Sequence, residues 1–112
     1  VVGRKDIEKI EEEAIAKYRA ALADNSEADK TAGFVKGVGE GLVLYDVEAG
    51  VEDFKASIQS LDVKLQKGRD RGYSDEFWEG ARDGLIKVHV LLFGDIKKVE
   101  KEKMKILGLF NP

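Results

Sequence analysis

Only one side chain in this sequence titrates near neutral pH without help from its surroundings. That is His89, set in Lys87-Val88-His89-Val90-Leu91. With a single histidine and no cysteine, neither a multi-histidine nor a thiolate metal site can be assembled within one chain. Carboxylates occur at helical spacing as Glu8/Glu11/Glu12 and as Glu76/Glu79/Asp83, each set on one helix face. A magnesium site on paired helices takes E-x-x-E with E-x-x-D. Glu8-x-x-Glu11 and Glu76-x-x-Glu79 exist here, but no E-x-x-D follows either. A di-iron bundle takes E-x-x-H pairs, and Ile86 stands where the glutamate would precede His89. Ser26 and Ser74 have no base nearby in sequence and read as helix caps. The expectation is therefore a non-catalytic chain with no cofactor and no metal. A metal-dependent hydrolase using Glu76, Glu79 and Asp83 is the second alternative.

Two further patterns invite a ligand. Gly37-Val38-Gly39-Glu40-Gly41 is glycine-rich, yet it lacks the preceding strand and the Lys-Ser/Thr ending of a phosphate-cradling loop. Lysine and arginine concentrate at 64–71 (Lys64, Lys67, Arg69, Arg71) and at 97–105 (Lys97, Lys98, Lys101, Lys103, Lys105). Asp70, Glu100 and Glu102 interrupt both, so solvated helix faces are the leading reading and nucleic-acid binding through 64–71 and 97–105 the first alternative.

The elements that would position these groups are all helices. The chain has 112 residues, enough for one domain, 1–112, with 43% hydrophobic residues to build its core. No apolar run approaches the ~20 residues of a membrane span, and no signal peptide opens the chain. A cytoplasmic location is expected. The net charge of −3 is uneven: residues 1–56 hold 8 basic and 13 acidic side chains, residues 57–112 hold 11 and 9.

Ile7, Ile10, Ala14, Tyr18 and Ala21 or Leu22 recur at helical spacing and predict a first helix over 6–23, with Asp6 as its cap. Ser26 reads as the cap of a second helix ending at 45 or 46. After a break at 48–50, Val51, Phe54, Ile58, Leu61 and Leu65 form the cleanest stripe, closed by Gly68. Ser74 caps a fourth helix to about Phe93, with Tyr73 and Trp78 placed as a hydrophobic staple. Ile96, Val99 and Ile106 or Leu107 mark a fifth.

Phe34-Val35-Lys36-Gly37-Val38-Gly39-Glu40-Gly41-Leu42-Val43 matches Phe77-Trp78-Glu79-Gly80-Ala81-Arg82-Asp83-Gly84-Leu85-Ile86, a self-match at a spacing of 43. The duplicated units run roughly over 26–68 and 69–110, preceded by the helix at 6–23. Gly33, Gly37 and Gly41 share one helix face, as do Gly80 and Gly84. Each interior glycine costs about 1 kcal/mol against alanine, so close contact must offset it. The expectation is a small-xxx-small crossing between the two glycine helices. Asp46 matches His89 in this repeat, which raises a buried pair as a hypothesis beside a hydrogen-bonded core histidine.

The reading is all-α: a compact pseudo-twofold bundle of about five helices, with Gly33, Gly37, Gly41, Gly80 and Gly84 at the crossing. Trp78, Arg82, His89 and Phe93 give the fourth helix a second partly apolar face. With Phe110 they form a possible interface for a homodimer or another protein. A Lys/Glu-rich, Cys-free composition leans thermophilic. Short, helical and so composed, the chain resembles uncharacterised small proteins of hyperthermophilic archaea and their viruses or plasmids. The resemblance implies no activity and no residue roles.

Overall fold

Two of the helices start in the same way, and the spacing of those starts organises the molecule. In the computed structural model, which describes residues 2–66 and 72–95, the elements are α1 (Arg4–Asp24), α2 (Ala28–Asp46), α3 (Val51–Gln66) and α4 (Asp75–Phe93). Before α1, the Gly3 N–H donates to Asp6 Oδ2 at 2.8 Å and the Asp6 N–H donates to the Gly3 carbonyl at 3.1 Å. Before α3, Gly50 and Asp53 make the same pair of bonds at 3.0 and 3.1 Å. Asp6 thus acts from inside the first turn, reaching back to N–H groups that would otherwise lack acceptors.

Ser74 caps α4: its Oγ accepts from the Phe77 N–H at 3.2 Å and donates to Asp29 Oδ2 at 2.8 Å, tying the starts of α4 and α2 together. Ser26 does not cap α2. Its N–H donates to the Ala21 carbonyl at 3.0 Å and so closes α1, with Asn25 in the left-handed region at φ 53°. The three-residue connection then leaves Glu27, at φ 46°, as the residue before α2.

No strand occurs among the described residues, so the all-α reading stands, with four described helices. The segments expected to hold Gly68 and the fifth helix lie outside the described residues. Across the molecule the order is α1, α2, α4, α3: α2 and α4 make the most extensive contact, α1 packs on α2, and α3 packs on α4. The core is unevenly supplied. From α1 come Ile7, Ala14 and Ala21, while α3 gives Phe54, Ile58 and Leu61 and α4 gives Phe77, Trp78, Ala81, Leu85 and Val88. Leu22, a candidate for the first stripe, is 54% exposed.

Glycine lets the central pair touch. A Cβ on Gly33 would lie 2.7 Å from the Phe77 carbonyl carbon and nearer still to its oxygen; on Gly37 it would meet the Ala81 carbonyl in the same way, 2.8 Å from the carbon. From the other side, Gly80 abuts the Lys30 carbonyl and Gly84 the Phe34 carbonyl. The contacts climb both helices in one direction, so α2 and α4 are parallel. They also repeat under a shift of 47 residues: Gly33 corresponds to Gly80, Phe77 to Lys30, Gly37 to Gly84, and Ala81 to Phe34. The same 47 separates Gly3 from Gly50, Arg4 from Val51, Ala28 from Asp75, and Asp46 from Phe93. The spatial register is therefore one helical turn longer than the 43-residue sequence match.

Gly39, in contrast, looks away from α4, and a Cβ there would meet only Glu11 Oε2 at 3.7 Å. Gly37→Ala and Gly80→Ala should each lower stability by about 2 kcal/mol or more through overpacking. Gly39→Ala should raise it by up to about 1 kcal/mol through helix propensity. Urea midpoints read both, and equal effects at all three positions would contradict the crossing.

Candidate functional site

The five helix-crossing glycines all lie on the α2–α4 contact. At the third level of the crossing, Gly41 faces a side chain: a Cβ there would sit 2.8 Å from the Val88 methyl groups. The groove that bare backbone might have offered to a ligand is filled by the partner helix.

The second face of α4 is covered as well, by α3. Trp78 is 4% exposed and His89 is fully buried. Phe54 reaches from α3 into an edge-to-face cluster with Phe93 at 5.2 Å and His89 at 6.3 Å, and His89 meets Phe93 at 5.5 Å. Lys64 places its Nζ 4.2 Å from the Trp78 ring centroid, a cation–π contact. Arg82 Nε binds Asp62 Oδ1 across the same two helices. Trp78, Arg82, His89 and Phe93, suggested by the sequence as a subunit interface, therefore pack within the chain, because α3 supplies the large apolar side chains that cover them. Phe110 lies outside the described residues. At the start of α4, Tyr73 stacks on Phe77 at 4.3 Å and meets Trp78 edge-on at 5.5 Å.

His89 Nδ1 lies 3.0 Å from the Gly94 carbonyl oxygen, which can only accept, so the Nδ1 proton is donated there and helps close α4. Asp46 pairs instead with Arg4, which donates from Nε at 3.0 Å and from a terminal nitrogen at 3.2 Å. The Asp46–His89 pair is absent: Asp46 lies against Arg4, while His89 is buried among Phe54, Phe93 and the Gly94 carbonyl.

One member of each carboxylate set is paired with a cation at the surface. Glu8 binds Arg4, and Lys30 Nζ donates to Glu79 Oε1 at 3.4 Å. Among the described residues, no three histidine, cysteine or acidic side chains converge on a point where a metal could sit. The Ser74 hydroxyl is spent between Asp29 and the Phe77 N–H. A shallow cleft of about 180 Å³ opens between α1 and α2 beside Ala14, Lys17, Lys30 and Phe34, without a nucleophile–base pair. No helix among the described residues is long and apolar enough to cross a membrane. No protein-family model, curated protein or solved structure matches the chain.

Sequence reasoning had no access to Asp62 and Phe54 as partners of α4, since their pairing depends on where α3 docks. A signal for the register was present in Gly3-x-x-Asp6 and Gly50-x-x-Asp53, which share the 47-residue spacing of Gly33/Gly80 and Gly37/Gly84.

The hydrogen bond and charge of Glu79 hold the Lys30 ammonium above the ordinary lysine range. A raised folded-state value means that the pair's support is present below the ordinary lysine value and fades as pH rises through the raised one. In an alkaline NMR titration, Lys30 should deprotonate above the ordinary lysine value, and Glu79→Gln should bring it back towards that value. An unshifted Lys30 in the parent chain would contradict the pair.

Proposed function

We propose that this chain is a non-catalytic structural or interaction protein that pairs with a second copy of itself. The observation that carries this reading is where the chemically capable residues are spent. His89, Trp78, Arg82, Ser74 and the glycines at 33, 37, 41, 80 and 84 all face other helices of the same chain. What remains for a partner is surface. Val43 on α2 and Val90 on α4 are 61% and 45% exposed on the outer sides of the two central helices, at positions 47 residues apart. Such aliphatic residues fit an interface between like chains.

Within this reading the molecule is a duplicated helical hairpin, one copy over 3–47 and the other over 50–94. Matching helix bounds and the reciprocal glycine contacts support the duplication. A cytoplasmic setting and a thermophilic source, as in the small archaeal and viral proteins it resembles, belong to the same proposal. Nucleic-acid binding is less favoured, since Lys64 is committed to the Trp78 ring.

Static light scattering should give the mass of a dimer. Val43→Lys or Val90→Lys should shift it towards the monomer with helicity unchanged. A monomeric parent chain would overturn the self-pairing. Tight binding of duplex DNA at about 50 mM salt, weakening steeply as salt rises, would favour the nucleic-acid reading instead.

A further inference from the structure

The cleft between α1 and α2 has a counterpart in the second hairpin, and there the equivalent space is filled. Ala14, Lys17, Glu27, Lys30, Thr31 and Phe34 bound the cleft, which holds about 180 Å³. Under the 47-residue register Thr31 corresponds to Trp78. In the second hairpin that indole is only 4% exposed, with Lys64 Nζ 4.2 Å from its ring centroid and Phe77 edge-on at 5.1 Å. In the first hairpin a threonine stands in its place, and the cleft opens there.

The walls correspond as well. Lys17 is the equivalent of Lys64, the residue that lies over the indole. Ala14 stands for Leu61 and gives the floor less bulk, while remaining 3% exposed. Phe77 is replaced by Lys30, but Phe34, in place of Ala81, returns an aromatic wall. The Thr31 hydroxyl donates back to the carbonyls of Glu27 and Ala28, at 3.1 and 3.0 Å, which leaves its methyl group for the cleft. Lys30 is held by Glu79, whereas Lys17 forms no ion pair with a described residue.

Size narrows the class of occupant. An apolar cavity of about 150 Å³ holds one benzene ring, so a cleft of about 180 Å³ that is open on one side accepts one ring or two fused ones. A drug-sized ligand takes about 300 Å³ or more. None of the exposed large hydrophobic residues described lines the cleft, so it lacks the apolar surround of a protein interface.

We propose that this cleft binds a free planar aromatic molecule of indole size. Its ring rests on Ala14, the Thr31 methyl group and Phe34, with the Lys17 ammonium over its face. Three observations converge on that occupant: the apolar floor, the volume, and the indole that the second hairpin sets under the equivalent lysine. Electron-rich rings are favoured, because a cation over the ring face is attracted to its quadrupole.

Indole itself is the probe. In an NMR titration of the full chain, it should shift the Ala14 and Thr31 methyl signals and the Phe34 ring signals saturably, with a Kd of about 1 mM or below. Lys17→Met keeps the aliphatic stem and removes the charge, and should weaken binding about two- to fivefold. Lys17→Arg should restore it. Thr31→Trp supplies the chain's own indole to the cleft, and should abolish binding with helicity unchanged. Absence of saturable shifts, or shifts centred away from α1 and α2, would overturn the proposal. So would undiminished affinity in Lys17→Met, a surface change that tests the site even where Thr31→Trp does not fold. None of these readouts depends on the mass of the native chain, so a monomer leaves this inference standing.

Discussion

The rest of the structure hangs on direct backbone contact between α2 and α4. Four glycines present bare Cα atoms to carbonyl groups of the opposite helix, and no other residue leaves that space. Their cost is considerable, at about 1 kcal/mol each for a glycine inside a helix. What offsets it is the dispersion gained along two closely apposed backbones, together with Cα–H···O contacts of the kind such crossings produce. With the central helices this close, neither has a free inner face. Each can then support only one outer helix, and α1 and α3 take those places.

The two outer helices fill their places differently. At positions 47 residues apart, α1 offers Ile7 and Ala14 where α3 offers Phe54 and Leu61, so the α3 side holds more apolar bulk. That side also carries a buried histidine and the Arg82–Asp62 pair, where the α1 side has the Arg4–Asp46 pair at its end. Asp62 and Arg82 stand where the α1 side has Ile15 and Val35, and His89 stands where it has Leu42. Polar contacts of this sort fix which surfaces meet and add less to net stability than apolar burial does. The second hairpin thereby differs from the first in the side chains that meet across its helices.

Much of this was legible in the residues. The stripe from Val51 to Leu65, the Ser74 cap and the shared face of the glycines all follow from local rules of helix spacing and capping, and they appear in the structure. Ser26 was illegible as anything but a cap, because its N–H is taken by the end of α1, a fact set by a three-residue connection. The second face of α4 allowed two explanations, a central position or a subunit contact. Choosing between them needed the docking of α3, which no local pattern encodes.

The register was missed for a deeper reason. Alignment at 43 sets like beside like: Phe34 with Phe77, Gly41 with Gly84, Leu42 with Leu85. Similarity is what sequence comparison rewards, but packing rewards complementarity, in which large side chains fall opposite small ones. At 43, two phenylalanines would meet at the crossing and Val88 would face Tyr45. At 47, Phe34 falls opposite Ala81 and Val88 drops into the space left by Gly41. Gly33/Gly80 and Gly37/Gly84 stay opposite each other in that arrangement, so the extra turn keeps two glycine pairs while removing the aromatic conflict. Gly41 is thus explained by the valine it admits. A repeat in sequence marks which residues can lie at a helix crossing, and their sizes decide how the two helices slide into place.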